Sequence, residues 1–510
     1  MFRSIVSAAL LLMTTSPAAA EWVMAESEQF RVYSRGSEQR VSERAQQLEQ
    51  FDQLLRIYTG VPSERSVPKL DVWLLNNSGE MRRTSGMDNV AGLYVSSPGG
   101  VCAFAQRKDS GFYGATLLHE YTHHFMSQHF AAAYPKWFVE GFAEYFMTAE
   151  FDGQEVSIGR YTKPRGRSLL HETWLPSEMV LSGVYHPVQT GIFYAMSWLL
   201  THYVYADPDR TQTFQLYLNA VAGGSDPVTA WEEAFGQTPE ELDVALDQYM
   251  DRNRINYRTI EFEEGTFRRS WIRITEYPNS SDDMLPRFAL LDCTIGDSEE
   301  HLEIIRDDAE DHDDPYAQTT RAYAEAIAGE TSFAIPALTA LARAEPDNAD
   351  HHYYLGRAYS RRAHEEGADM DADHERARVE YARAYKIRPD HVPTLYFYAH
   401  DGDAYRGENE RNMMLLAREL RPQISQVSTT LAVSYAIAGE WEMAEKVLAP
   451  VANNPHLSDD SWARELMQRI HDRDTSLSGE AVEGREDDRE AGDGGDGENR
   501  DERAEEATAG

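Results

Sequence analysis

Residues 117–125 read LLHEYTHHF, with His119 and His123 four apart and Glu120 directly after the first histidine. On a helix, residues at that spacing share one face. Two imidazoles on one face can hold a single Zn2+ from the same side, and a glutamate beside them can take a proton from a water there. Catalytic zinc takes three protein ligands and keeps one position for water, so another element is expected to supply the third. Sixteen residues separate His123 from Glu140 in the stretch PKWFVEGFAEYF, where Glu140 and Glu144 lie one helical turn apart on a common face. Glu140 is assigned as the third ligand. Glu144 is expected to hydrogen-bond a ligand imidazole, that of His119, and to hold its tautomer. His124 and His129 are read as surface or packing residues. The chain has two cysteines, Cys102 and Cys293, neither in a helix-start or basic context, so no cysteine nucleophile competes with the metal.

These residues need elements to hold them. SGFYGATLLHEYTHHFMSQHF reads as one helix starting near residues 111–114, held in a core by Leu117, Leu118, Phe125 and Met126. A buried helix carrying this much histidine and glutamate needs a reason, because unpaired buried polar groups are costly, and a metal supplies one. The second helix begins near Pro135, a residue that suits a first turn, and packs through Trp137, Phe138, Phe142 and Tyr145. Upstream, FRVYS reads as a strand and SERAQQLEQFDQLLRIYTG as an amphipathic helix stopped by Gly60. LDVWLL, VAGLYV and VCAFAQ read as short strands between turns.

The 510 residues exceed one compact core, and the composition divides them. Residues 1–20 combine Arg3, an apolar run and AAA at 18–20, the pattern of a cleavable secretory signal. Export to a bacterial periplasm or beyond is expected, with no stable membrane insertion after cleavage. Residues 21–252 hold the motif region, and 253–314 are expected to link it to a helical region at 315–456. Residues 474–510 are acidic, Gly-rich and expected to be disordered. They carry −10 of the formal net charge of −38. So acidic a chain argues against nucleic acid and anionic lipid as partners. In an oxidising compartment Cys102 and Cys293 could pair, or remain separate buried thiols; the sequence leaves both open.

The helical region repeats. Leu355, Gly356 and Tyr359 are followed by Ala377, Tyr381 and Ala384, and Leu431, Ala432, Tyr435 and Gly439 by Ala444, Leu448 and Val451. Small and aromatic positions of this kind let paired helices pack closely and stack on the next pair. They resemble tetratricopeptide repeats, with an insertion at AHEEGADMDADHER.

HEYTH followed by WFVEGFAEY resembles the gluzincin zinc peptidases, and within them the bacterial peptidase MA-like group. The resemblance spans about 21–252. It implies an α+β metallopeptidase domain, with a small strand-rich subdomain and a helical subdomain bearing the motif, followed here by an all-α helical-repeat domain. It implies one zinc per chain on His119, His123 and Glu140, with Glu120 as general base for direct attack of water on a peptide bond. It also implies an edge strand along the substrate, to which VAGLYVSSPGGVCAFAQ is similar, and a tyrosine that stabilises the oxyanion. Tyr194, in GIFYAMSWLLTHYV, occupies that position, with His186 a weaker candidate. Aminopeptidases of this superfamily read the substrate amine with a glutamate in a GxMEN-type edge strand. The nearest stretch, GGVCAFA at 99–105, has no carboxylate, so an endopeptidase is expected, with Glu80 and Asp88 the next candidates to read an amine. A unit ending near Arg252 is expected to carry the whole constellation, and the repeats to dock a protein partner or substrate. The alternatives are an inactive peptidase-like repeat scaffold and a zinc amidase acting on cell-wall peptides.

Overall fold

The computed structural model describes residues 22–63, 67–85, 92–107, 112–130, 132–252, 257–454 and 461–477; the signal-like stretch 1–20 lies outside them. The chain opens with β1 (Trp22–Glu26), β2 (Phe30–Arg35), α1 (Glu38–Thr59), β3 (Leu70–Leu75), α2 (Ser78–Ser85), β4 (Gly92–Ser97) and β5 (Gly100–Gln106). Gly60 ends α1 in the left-handed conformation, which a residue without Cβ adopts freely.

The strands form a mixed sheet in the order β4-β5-β3-β2-β1-β9, where β9 is Arg273–Glu276. β2, β3 and β5 run parallel; β4 and β1 are antiparallel to their neighbours. Both faces are covered, and alternation along each strand divides the side chains between them. Leu70, Val72 and Leu74 of β3 and Val101, Ala103 and Ala105 of β5 join the core that contains Phe51 and Leu55 of α1 and Phe125 of the motif helix. Trp73, Cys102 and Phe104 point to the other face, against Leu285 and Leu290.

The helical part supplies α3 (Phe112–His129), α4 (Lys136–Phe146), α5 (Lys163–His171), α6 (Ser177–Ser182) and α7 (Thr190–Tyr205). Three further helices run from Pro208 to Arg252. A second sheet of β6 (Glu150–Asp152), β7 (Glu155–Ile158) and β8 (Arg258–Glu261) follows α4 in space.

Four boundaries differ from the sequence expectation. The 253–314 stretch does more than link: β8 pairs with β7, β9 pairs with β1, and Cys293 is disulfide-bonded to Cys102 of β5, which settles the cysteine question. The sheet is therefore incomplete at Arg252. Helix packing of the repeat kind starts before 315, with Ser281–Asp292 and Ser298–Asp311. It also passes 456, since Trp462–His471 packs on Trp441–Ala452. The packed chain runs past 474, because Leu477 is buried in the main core; residues 478–510 lie outside the described part.

Between these ends, helices follow one another and stack. Pro315–Ala328 packs on both Ser281–Asp292 and Ala349–Arg362, the arrangement of first helices in a helical repeat. Gly356 shows why small residues recur: a Cβ there would lie 2.5 Å from the Tyr381 ring. The later repeats are not a separate body. Leu395, Leu431 and Leu466 share one continuous core with α3 and the sheet. Among the described residues no helix is long and apolar enough to cross a membrane.

Candidate metal centre

Three faces of α3 are held by different neighbours. Toward α1, the Tyr121 hydroxyl donates to Asp52 Oδ1 at 2.6 Å, and Arg56 Nε donates to Asp52 Oδ2 at 2.6 Å. Removing one member would leave a buried charge or hydroxyl uncompensated, so this network fixes the helix's rotation. Toward the sheet, His124 Nδ1 pairs with the Tyr94 hydroxyl of β4 at 3.0 Å, and burial beside Arg421 and His129 keeps that imidazole neutral. At its C-terminal turn, Gln128 donates to Leu420 O (2.8 Å) and its Oε1 accepts from Arg421 (3.3 Å) and Gln423 (3.1 Å) of the repeats. His124 and His129 are thus packing residues; the His129 ring lies 4.7 Å from that of Phe125.

The remaining face carries His119, Glu120 and His123. It meets α4, which is buried on nearly every side. One glycine decides how closely α4 approaches α7. A Cβ on Gly141 would sit 2.3 Å from Ser197 O and 2.2 Å from Thr201 Oγ1, so only glycine fits.

The structure brings His119, His123 and Glu140 together. His119 Nε2 lies 2.9 Å from His123 Nε2, and Glu140 Oε2 lies 3.4 and 3.5 Å from these two nitrogens. Ligand atoms bound at about 2.0–2.1 Å around a tetrahedral ion are about 3.3 Å apart; the two sides to Glu140 are close to that spacing and the His119–His123 side is shorter, so the three atoms could hold a metal ion. Glu140 Oε2 is buried and has no donor in hydrogen-bonding geometry, which a cation would remedy. Burial alone would push the Glu140 carboxyl up; His123 and His119 hold it well below the usual carboxylate range. Burial likewise works against a charged His123, but Glu140 raises it above the ordinary imidazole value. Two imidazoles and a carboxylate form a donor set that suits zinc. His119 and Glu140 are buried while His123 is half-buried, so the centre opens on the His123 side.

Glu120 is nearly buried at the start of β4. A Cβ on Gly92 would come within 3.0 Å of Glu120 Cγ and 3.4 Å of its Oε1, so glycine there leaves room for the carboxylate. β4 is one of the two edge strands of this sheet, β9 being the other. The 99–105 stretch, expected at the edge, forms β5 and is paired on both sides, with β4 and β3. It has no free backbone edge; Gly92–Ser97, which also carries no carboxylate, lies at the end of the sheet order. Glu80 is used elsewhere: its Oε2 accepts from Asn76 N at 2.6 Å and its Oε1 faces Arg35 at 3.9 Å. Asp88 lies outside the described residues.

Glu144 departs from expectation. Its Oε1 is 3.8 Å from His119 Nδ1, longer than a hydrogen bond, and instead accepts from Arg165 Nε (3.1 Å) and Nη2 (2.9 Å). Tyr194 is buried on α7 with its ring centre 6.3 Å from that of His119, and the Arg165 guanidinium lies 5.0 Å from the Tyr194 ring centre. His186 is exposed, and its Nδ1 accepts from Val188 N at 3.3 Å as the cap of the short helix Pro187–Gln189, a structural use. Sequence reasoning missed Arg165 and Gly141. Arg165 stands among other basic residues with nothing to distinguish it; a glycine inside a helical pattern was the sole local sign of the second.

No family model and no curated protein matches the chain. Among solved structures it is similar to a thermophilic TPR protein of Thermus thermophilus, with 16% identity, 38% of this chain and 98% of that chain covered, and a TM-score of 0.30. A likeness of that TM-score carries no argument, and the C-terminal helical repeat stands on its own packing.

Proposed function

We propose that this chain is an exported zinc-dependent peptidase that cleaves within polypeptides. The observation that carries the proposal is the triangle of His119 Nε2, His123 Nε2 and Glu140 Oε2, with Glu120 next to the first ligand. Zinc held there would supply Lewis-acid polarisation of a carbonyl and lower the proton affinity of a water. Glu120, kept at the site by the absent side chain of Gly92, would accept a proton at its carboxylate and return it to the leaving amine. Tyr194, on the His119 side, would donate its hydroxyl hydrogen to the oxygen on which negative charge develops. The edge of β4 would hold the substrate backbone by strand pairing. Retention of all of His119, Glu120, His123 and Glu140 counts against an inactive scaffold. The Cys102–Cys293 disulfide suits an oxidising compartment, and the signal-like stretch suits export. The repeats would present a docking surface for a protein partner or substrate.

Purified protein should hold about one zinc per chain. Glu120→Gln should keep the metal and lose hydrolysis of a proteome-derived peptide library; full activity in that variant would refute the proton-transfer role. Acetylating the amine of a cleaved peptide should leave its turnover nearly unchanged, because β4 offers no carboxylate to read an ammonium. A large loss would show that the free amine is recognised.

A further inference from the structure

We propose that Arg165 is a positioning residue for the metal centre, acting through Glu144 on His119 and directly on the Tyr194 ring; this rests on the zinc-peptidase reading above. Arg165 comes from α5, outside both motif helices, and is nearly buried. Glu144 is buried and lies beside His119 Nδ1, the ring nitrogen that faces away from Glu140. A buried carboxylate without hydrogen-bond donors is costly. Two guanidinium donors on one carboxylate oxygen fix the Glu144 side chain, with that oxygen 3.8 Å from His119 Nδ1. A carboxylate oxygen fixed behind the ring restrains the imidazole so that Nε2 faces His123 and Glu140. The same guanidinium lies over Tyr194, so one cation sets the place of both the first histidine and the candidate oxyanion donor.

Lysine cannot replace this arrangement. An ammonium is a point charge without a planar fork, and it cannot reach one oxygen from two directions while covering a ring. Arg165→Lys should keep the melting temperature within a few degrees while weakening zinc binding by roughly ten- to a hundredfold, read by titrating Zn2+ against a chromophoric chelator. In the zinc-loaded variant kcat should fall with KM nearly unchanged, because neither Arg165 nor Glu144 is placed to hold substrate. Glu144→Gln should reproduce the loss of zinc affinity, and the double variant should bind zinc no worse than the weaker single one, since both act through His119.

A folded Arg165→Lys chain with unchanged zinc affinity would overturn the proposal, as would additive losses in the double variant. Should Arg165→Lys fail to fold, wild-type affinity in Glu144→Gln would overturn it equally. If wild type takes up no zinc, the metal reading falls and this proposal with it. If wild type binds zinc and Glu120→Gln is inactive while Arg165→Lys binds normally, this proposal alone falls.

Discussion

Gly141→Ala tests whether the site depends on how closely two helices approach. In an exposed helix the change stabilises by about 1 kcal/mol, because alanine has the higher helix propensity. Here the added methyl would lie 2.3 Å from the Ser197 carbonyl oxygen and 2.2 Å from Thr201 Oγ1, whereas ordinary contact begins at 3.4 Å. The threonine hydroxyl can rotate; the carbonyl belongs to the α7 backbone and cannot. α4 and α7 must therefore part by about 1 Å, at an overpacking cost of about 1–3 kcal/mol that outweighs or cancels the propensity gain. The metal should respond more strongly than the fold. α4 carries Glu140, whose Oε2 now lies 3.4 and 3.5 Å from the two imidazole nitrogens, and zinc tolerates only about 0.2 Å of error in its bond lengths. Urea unfolding and competitive zinc titration, run on the same preparation, separate the two effects. The expected result is a stability loss of about 0–2 kcal/mol with zinc affinity reduced at least tenfold. A variant stabilised by about 1 kcal/mol with unchanged zinc binding would refute the close α4–α7 contact and the geometry built on it.

Three further predictions concern the remainder of the chain. The disulfide joins residues separated by 191 positions, a loop whose closure is worth about 5 kcal/mol in the chain-entropy account. Replacing both cysteines with alanine should lower stability by about 2–5 kcal/mol, seen as an earlier urea midpoint. For the same topological reason a fragment ending at Arg252, without β8, β9, Cys293 and the repeat partners of Gln128, should not fold cooperatively; a folded, zinc-binding fragment would contradict this. Burial pushes the Asp292 carboxyl up to about 7, against the pull of Tyr354 and Arg357. The folded chain thus binds that proton more tightly than the unfolded one. The resulting stability is intact below about pH 4 and is lost as pH rises through about 7. Asp292→Asn should therefore gain in melting temperature relative to wild type between about pH 5 and pH 8; a difference independent of pH would show that the group does not titrate there.

What the sequence determined by itself is what local periodicity can carry. Histidines four apart share a helical face wherever the helix sits, so His119 and His123 could be paired, and Glu140 added, before any fold was known. Alternation marked β3 and β5, and Gly60 marked the end of α1, because backbone geometry imposes both patterns on neighbouring residues. Strand order has no such signature. That 99–105 would be interior and Gly92–Ser97 an edge depended on which strands meet, as did the return of residues 273–276 to pair with β1. Gly141 looked like a weak point in a helix and proved to be where α7 passes over α4. Arg165 lies 21 residues from Glu144 on another helix, and no spacing rule connects them. Such contacts are decided by the packing of distant elements into one core, and only the tertiary structure shows which side chains that packing brings to face each other.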